Sequence, residues 1–236
     1  MNKVAVINFS GNVGKSSIAR YLLAPRMECD VLTIESINDA GGQKKTKTTI
    51  RGKEITELRE HLLLSDSLVV DIGASNVEDF IETLSEYDDG IEEFEYFVIP
   101  TVPAIKQQED TVSTISTLSA MDVPREKIIV VFNQFDKKGG PLQKQFKVVF
   151  DAFSNSDACH LNKGAVVPRH GFFEAFQQDE RSFDDVINDK TDYRVLISKS
   201  EDKSERIEYV RKLGMKSLAL GINKELDGVY LAMNDG

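Results

Sequence analysis

The chain has 236 residues, of which 41% are hydrophobic and 29% are charged, and its formal net charge of −10 argues against a protein that is globally attracted to DNA. Cys29 and Cys159 form no CxxC pair, which indicates neither a disulfide framework nor a zinc site and fits a reducing cytoplasm. No apolar run reaches the length of a membrane span, and residues 1–9 lead directly into a strand, so we expect a soluble cytoplasmic protein without a signal peptide.

We expect one domain over residues 1–236, with residues 200–236 as C-terminal helices packed on it, because the chain can form one large core and no composition shift marks a boundary. The first predicted elements are a β-branched strand at Val4–Ile7 and a helix whose apolar face begins with Ile18 and Leu22. A glycine-bearing turn lies between them. This order suits a phosphate, because backbone N–H groups and a helix N-terminus can converge on an oxyanion.

The turn reads Ser10-Gly11-Asn12-Val13-Gly14-Lys15-Ser16 and is followed by Ser17. Lys15 supplies a point charge for the outer phosphates, and Ser16 has the position of a magnesium ligand. The stretch resembles the deviant P-loop of the ParA/MinD family of partition and positioning ATPases. The resemblance implies that residues 10–17 bind the nucleotide and that a nucleotide-dependent homodimer can form. Ser10 stands where the family has its signature lysine, and Asn12 replaces a glycine, a change that the tolerance of Asn for left-handed backbone makes mild.

A second buried strand is predicted at Val31–Glu35, with Glu35 at its carboxyl end. Family members carry two acids here, the second of which positions the attacking water, and Ile37 occupies that second place in this chain. We therefore take Glu35 and Asp39 as the catalytic candidates. An equal alternative is that both are solvated loop acids.

A basic segment follows, with five cations and no acid between Gly41 and Lys53, so that it carries +5 and the remainder of the chain −15. Such a segment could contact DNA phosphates without sequence preference, or it could be an ordinary solvated loop. Its cations are Lys44, Lys45, Lys47, Arg51 and Lys53.

The next predicted strand, Ser67–Gly73, contains Asp71 near its end, and a helix follows. In P-loop proteins an acid at this place holds the magnesium shell, because a hard divalent cation prefers carboxylate and hydroxyl oxygens. Asp71 and Ser16 are therefore the predicted metal residues. A further strand at Phe94–Ile99 is predicted to stop at Pro100.

The strand at Lys127–Asp136 ends in Asn133-Gln134-Phe135-Asp136. Relatives have an Asn at this point that contacts adenine. The run also resembles the Asn-Lys-x-Asp motif by which GTPases recognise guanine, but it lacks the lysine of that motif. Asn133 capping its own turn is the alternative. A strand is predicted near Ala158–Leu161, and the later Val-Val-Pro-Arg segment resembles the family's base-bordering segment, which makes Pro168 and Arg169 base-pocket candidates.

The tail predicts two helices, one with the stripe Ile207, Val210 and Leu213 that ends near Gly214, and another from Leu218 to Val229. Alternating strands and helices indicate an α/β fold, a doubly wound and mainly parallel sheet. Family and size resemble plasmid-borne ParA-like proteins of the StbB plasmid-stability type, which implies a slow Mg-ATP hydrolase acting with a DNA-bound adaptor. A nucleotide-sensing adaptor with little turnover, a GTP-using protein and a small-molecule kinase remain alternatives.

Overall fold

The computed structural model describes residues 2–34, 49–50, 55–154, 156, 158–159, 161–179 and 181–234. The catalytic candidates Glu35 and Asp39 and the five cations of the basic segment lie outside the described residues. Their predicted roles therefore stay predictions.

One sheet of parallel strands organises the chain, as the sequence predicted. Seven strands are paired in the order β3-β2-β4-β1-β5-β6-β7, and every described pairing is parallel. The strands are β1 (Lys3–Val6), β2 (Val31–Ile34), β3 (Thr49–Ile50), β4 (Leu68–Ile72), β5 (Tyr96–Thr101), β6 (Ile128–Phe135) and β7 (Val166–Pro168).

Helical segments follow most strands. The α-helices are α1 (Lys15–Ser17), α2 (Ala24–Met27), α3 (Ile55–Leu64), α4 (Val77–Glu86), α5 (Ile105–Ala120), α6 (Leu142–Gln145), α7 (Lys147–Phe153), α8 (Gly171–Ala175), α9 (Phe183–Ile187), α10 (Tyr193–Lys199) and α11 (Lys203–Asn234). A π-helical segment, Ile18–Leu23, joins α1 to α2, and short 3₁₀ turns lie at Ala74–Asn76, Arg125–Lys127 and Phe176–Gln178.

The strand order reverses at β1, which lies between β4 and β5. Val6 is in register with Asp71 on one side and with Val98 on the other. In an open parallel sheet such a reversal leaves a crevice beyond the carboxyl ends of the strands, because the connections on either side run to opposite faces. The turn at residues 10–14 leaves β1 at this crevice.

Aromatic side chains fill much of the core beside the sheet. Phe132 stacks on Phe150 with ring centroids 5.1 Å apart and meets Phe146 edge to face at 5.0 Å, while Phe94 contacts Phe80 and Phe97. Several of these rings are fully buried. Since each buried aromatic side chain contributes roughly 2–3 kcal/mol, these contacts fix the sheet under the crevice.

The prediction that Pro100 stops the fifth strand is wrong, since β5 continues through Pro100 to Thr101. The β1–β5 pairing ends at Val98, so the sheet requires no backbone donor from Pro100 on that side. The carbonyl of Pro100 instead accepts a hydrogen bond from the Asn8 side chain at 3.0 Å. The strand can therefore include the proline without losing a ladder hydrogen bond to β1.

The strand predicted near Ala158–Leu161 is also absent from the described residues of that stretch, which have no regular structure. The last strand of the sheet is β7 at Val166–Pro168, paired with β6. A short apolar run cannot by itself distinguish a strand from a buried loop, and Cys159 is such a buried loop residue.

The chain forms two compact units, Met1–Arg169 with Val229–Gly236, and His170–Gly228. The first contains the sheet. In the second, Phe172, Phe176 and Phe183 pack on one another, and Asp189 accepts a hydrogen bond from the Tyr193 hydroxyl at 2.6 Å. The single domain over residues 1–236 stays a prediction, as does the packing of residues 200–236 on it.

The two predicted tail helices are one continuous helix, α11, which does not end at Gly214. A glycine inside a helix costs roughly 1 kcal/mol relative to alanine, which weakens a helix without stopping it. Among the described residues, no helix is both long enough and apolar enough to cross a membrane.

Candidate nucleotide site

The turn after β1 has the backbone conformation that its sequence predicted. Gly14 has φ +88°, and Asn12 has φ +59°, so that both residues are in the left-handed region. Glycine adopts this region freely, and Asn does so more readily than most other residues. The replacement of a glycine by Asn12 is therefore compatible with the turn.

Lys15 is buried at the base of the turn, with 8% of its surface exposed. Its Nζ donates hydrogen bonds to the carbonyl oxygens of Asn8 at 2.9 Å and Ser10 at 2.6 Å. Burial lowers the pKa of Lys15 to about 8, and the charge of Asp71 acts in the opposite direction. The amine is thus a desolvated cation held against the turn, where an added anion would gain strongly from it.

Asp71 lies on β4 beside the start of the turn and is 2% exposed. A buried carboxylate whose charge acts on Lys15 offers the oxygen donors that magnesium prefers, so Asp71 fits its predicted metal role, and the role of Ser16 stays a prediction. Within the described part of the chain, no group of three or more His, Cys, Asp or Glu residues is placed to hold a metal.

Ser16 and Ser17 open the helical run that follows the turn, and both are half-buried. The N–H of Ile18 bonds to the carbonyl of Gly14 at 2.9 Å, so the first helical hydrogen bond starts inside the turn. The N–H groups of the first helical residues have no partner within the helix itself. Gly11 and Asn12 are exposed at the opposite side of the turn, and a Cβ at Gly11 would have open space.

Asn133 packs directly over the turn. Its Nδ2 donates to the carbonyl of Val13 at 2.9 Å, and its Oδ1 accepts from the N–H of Gln134 at 2.9 Å. Asn133 is 5% exposed. Its amide thus caps its own turn, which was one of the two predictions for this residue, and also holds the backbone of the turn after β1. Contact with a base stays a prediction.

A buried polar network under the turn was not predicted from the sequence. Asn8 is fully buried; its Oδ1 accepts from the N–H of Ser10 at 2.7 Å, and its Nδ2 donates to Thr111 Oγ1 at 2.8 Å. The N–H of Phe9 donates to Thr114 Oγ1 at 3.1 Å. Thr111 and Thr114 both lie on α5, so this helix supports the first half of the turn through side chains that are more than 100 residues away in sequence.

Ser10 is 5% exposed. Its N–H donates a hydrogen bond to Asn8 Oδ1, and its carbonyl accepts one from Lys15 Nζ. A short side chain in this position cannot extend across an interface as a lysine could. The presence of a serine where the family has a lysine is visible in the sequence. The burial of Ser10 and its bonding into the turn are visible only in the structure.

Thr33 is a further polar residue near the site that the sequence analysis missed. It lies on β2 in register with Asp71 on β4 and is 1% exposed. Among the described residues, none accepts or donates a hydrogen bond at its Oγ1. A threonine inside a β-branched strand carries no sequence signal that separates it from a core residue.

The predicted base-pocket residues lie on the far side of the crevice. Pro168 is buried at the end of β7 in register with Phe135 of β6, and the N–H of Arg169 bonds to the Phe135 carbonyl at 2.9 Å. The Arg169 side chain is exposed. Since β6 and β7 end at the same edge as β1, Pro168 and Arg169 lie at the same edge of the sheet as the turn; a contact with a base stays a prediction.

The carboxylate of Asp136, which a guanine-reading motif would use, accepts a hydrogen bond from the N–H of Lys138 at 2.8 Å. This is a local turn of the kind that Asp commonly forms. The side chain of Gln145 also bonds to the backbone N–H and carbonyl of Asp136, which fixes the segment. The geometry therefore gives Asp136 a structural role.

A scan against protein-family models and a search of curated proteins found no match to this chain. The solved structures do contain similar folds. The structure of apo McdA from Cyanothece matches with a TM-score of 0.50 and 10% identity, over 99% of each chain. The chain has the ParA/MinD-type P-loop fold. At this identity the likeness concerns the fold alone.

Two further solved structures match this chain with slightly lower TM-scores. The MinC:MinD cell division complex from Aquifex aeolicus matches with a TM-score of 0.49 and 13% identity, over 91% of this chain and 96% of that chain. A protein described as a plasmid partition protein of Borrelia burgdorferi B31, bound to AMPPNP, has the same TM-score and identity over 91% and 97%.

Proposed function

We propose that the protein is a ParA-like ATPase that binds Mg-ATP and acts as a nucleotide switch in plasmid stability, partition or positioning. The observation that carries the proposal is the position of Lys15, a buried cation held by the carbonyls of Asn8 and Ser10 at the crevice where the strand order reverses. A buried cation in a turn of left-handed residues is an arrangement that serves a phosphate chain.

Each part of the site has a separate task in this proposal. The turn N–H groups and Lys15 stabilise negative charge on the outer phosphates, and Ser16 with Asp71 holds the magnesium ion, which neutralises phosphate charge when bound. Glu35 or Asp39 orients the attacking water. Pro168 and Arg169 border the base, with Asn133 either contacting it or keeping the turn in place.

A second candidate function is a nucleotide-sensing adaptor that hydrolyses little. It is favoured by Ser10, which is buried and bonded within its own turn in the place of the lysine that the family extends to a partner. Ile37 in the place of the second acid supports the same interpretation. This adaptor would bind ATP tightly and show negligible turnover even with DNA and partner present.

The deciding experiment is phosphate release from Mg-ATP and from Mg-GTP, each with and without duplex DNA, with Lys15→Ala as the blank. We expect ATP turnover above that blank. ATP binding without turnover would favour the sensing adaptor, and turnover of GTP alone would reassign the nucleotide. Normal ATP affinity and turnover in Lys15→Ala would overturn the site assignment itself.

The proposed partner is a DNA-bound adaptor protein of the same plasmid system, and direct DNA contact would come from the basic segment. Reversing the charge of Lys44, Lys45 and Lys47 tests this contact. We expect the variant to lose salt-dependent retention on duplex DNA, since each neutralised phosphate releases counterions. Unchanged retention would remove the segment as the contact and leave DNA to the adaptor.

A further inference from the structure

The hydroxyl of Thr33 is a buried polar group without a hydrogen-bond partner among the described residues. Thr33 lies on β2 between apolar neighbours and is 1% exposed. Its Oγ1 bonds to none of the described atoms. The hydroxyls of the other buried threonines in the described chain, Thr101, Thr111 and Thr114, all form hydrogen bonds. Burying a hydroxyl without a partner costs free energy of folding, which a valine of the same shape would avoid. The hydroxyl is therefore a candidate for a role beyond packing.

Thr33 lies directly beside Asp71. The two residues are in register on neighbouring parallel strands, which lie about 4.8 Å apart, so their side chains project from the same face of the sheet. Leu32 and Val70, one residue earlier on each strand, belong to the core cluster on the opposite face. The helical run over residues 15–27 contacts β4, and its buried residues stand outside that cluster. This helical run therefore covers the face of Thr33 and Asp71.

Asp71 has the phosphate turn on one flank and Thr33 on the other. On the β1 side, Asp71 is in register with Val6, and its charge acts on the buried amine of Lys15. On the β2 side, the residue in register with Asp71 is Thr33. A carboxylate at a metal site keeps its orientation through hydrogen bonds from the donors around it. A hydroxyl in this position can supply such a bond on the flank away from the turn.

We propose that Thr33 is a positioning residue of the magnesium site, whose hydroxyl donates a hydrogen bond to the Asp71 carboxylate, directly or through one water, when the metal is bound. The inference rests on the proposed function, since it takes Mg-ATP as the ligand of the crevice. A partnerless hydroxyl beside a buried carboxylate is the observation that carries it. A magnesium site accounts for this pair, because it needs oxygen ligands and donors that orient them. Thr33 acts on the metal only through Asp71.

The competing explanation is that Thr33 serves only as a β-branched packing residue. A β-branched side chain suits the pleated surface of a sheet whether or not it carries a hydroxyl. The two explanations give importance to different parts of the side chain. Thr33→Val keeps the shape and removes the hydroxyl, whereas Thr33→Ser keeps the hydroxyl and removes the methyl group. Each variant is therefore the control for the other.

The first measurement is the magnesium concentration for half-maximal binding of a fluorescent ATP analogue by the full chain. We expect Thr33→Val to raise this concentration on the order of tenfold, because loss of an outer hydrogen bond weakens metal binding. The conservative variant Thr33→Ser should recover most of the wild-type value. Binding in excess EDTA should not differ between the chains, since Thr33 acts only on the metal. An unchanged value in Thr33→Val, or an equal rise in both variants, would overturn the inference.

Urea unfolding of the nucleotide-free chain gives a readout that is independent of ATP. Thr33→Val should be at least as stable as wild type, because it removes a partnerless buried hydroxyl and keeps the packing. Thr33→Ser should be less stable, since it loses a buried methyl group. The variant with the weaker magnesium response is then the more stable one, an order that loss of folding cannot produce. A Thr33→Val chain less stable than wild type would mean that the hydroxyl already has a partner, which contradicts the inference.

A double variant tests whether Thr33 acts through Asp71. Adding Thr33→Val to Asp71→Asn should raise the magnesium requirement no further, because the effects of two groups that act through one contact do not add. Additive effects would give Thr33 a separate role and contradict the inference. A wild-type chain that binds no ATP at any magnesium concentration would refute the proposed function and this inference with it. Magnesium-dependent binding that Thr33→Val shares unchanged would refute only the role of Thr33.

Discussion

The Nδ2 atom of Asn133 lies 2.2 Å from the place where a Cβ on residue 14 would be. The Asn133 side chain on β6 thus occupies the space that a side chain at residue 14 would need, and Gly14 also requires a φ of +88°. These two constraints are independent. They explain why this residue of the turn must be a glycine before any nucleotide is considered.

We predict that Gly14→Ala destabilises the protein by about 1–3 kcal/mol, through strain at positive φ and the contact with Asn133. Gly11→Ala is the matched control, since its Cβ would have open space and its φ is not in the left-handed region. Urea unfolding of both nucleotide-free variants measures the difference. Adding Asn133→Ala to Gly14→Ala should recover only part of the loss; equal stability of the two glycine variants would contradict the geometry.

The network beneath the turn predicts an effect of α5 on nucleotide binding. Thr111→Val removes the hydroxyl that accepts from Asn8 and should lower the free energy of unfolding by about 1–3 kcal/mol, because a buried donor loses its partner. The affinity for ATP should fall with it, since Asn8 also holds Ser10. Thr117→Val on the same helix is the control, because its hydroxyl donates to Ser113 of its own helix. Calorimetric titration measures the ATP affinity of both variants. The same affinity for both would mean that the hydrogen bond from Asn8 to Thr111 on α5 does not influence nucleotide binding.

Asp71 should control the metal dependence of nucleotide binding. In Asp71→Asn the oxygen ligand remains but the charge is lost, so the magnesium concentration for half-maximal ATP binding should rise on the order of tenfold. Fluorescent-nucleotide binding over a magnesium series gives this value. Asp136→Asn, at a fixed local turn on the same edge, is the control that should leave it unchanged. An unchanged midpoint in Asp71→Asn would place the metal elsewhere.

The unit at His170–Gly228 carries its own pH dependence. Hydrogen bonds from the Thr191 and Tyr193 hydroxyls and from the Thr191 N–H hold the pKa of Asp189 well below its usual range. Because the folded pKa is below the unfolded value of about 3.9, this contribution to stability is complete above that value and is lost as the pH falls toward the folded pKa.

We therefore expect Asp189→Asn to be destabilising at pH 7 and the difference from wild type to shrink as the pH is lowered below about 4. Tyr193→Phe, which removes one of the donors, should show a smaller effect in the same direction. Urea unfolding at a series of pH values measures both. A difference that stays constant with pH would mean that Asp189 acts through its shape and not through its charge.

Local pattern was enough for most strands of the sheet and for the backbone turn that follows β1. The predicted strands at Val4–Ile7 and Ser67–Gly73 and the turn at residues 10–17 depend on neighbours in sequence, because β-branched runs and glycine conformations are local properties. Length and alternation then predicted the parallel, doubly wound arrangement, which the structure confirms. Asp71 was predicted from its likeness to the strand-end acid of P-loop proteins, and the structure places it on β4 in register with Val6.

Only the tertiary structure showed what supports the turn. The contacts of Asn8 with Thr111 and of Asn133 with Val13 join residues 103 and 120 positions apart, and no periodicity in a single sequence encodes such a pairing. The continuity of α11 was also visible only in the structure. Gly214 predicted a helix end, but the helix continues because one of its faces is buried. Burial outweighs local helix propensity where enough apolar area is removed from water. Which side chains become buried is decided only when the chain has folded.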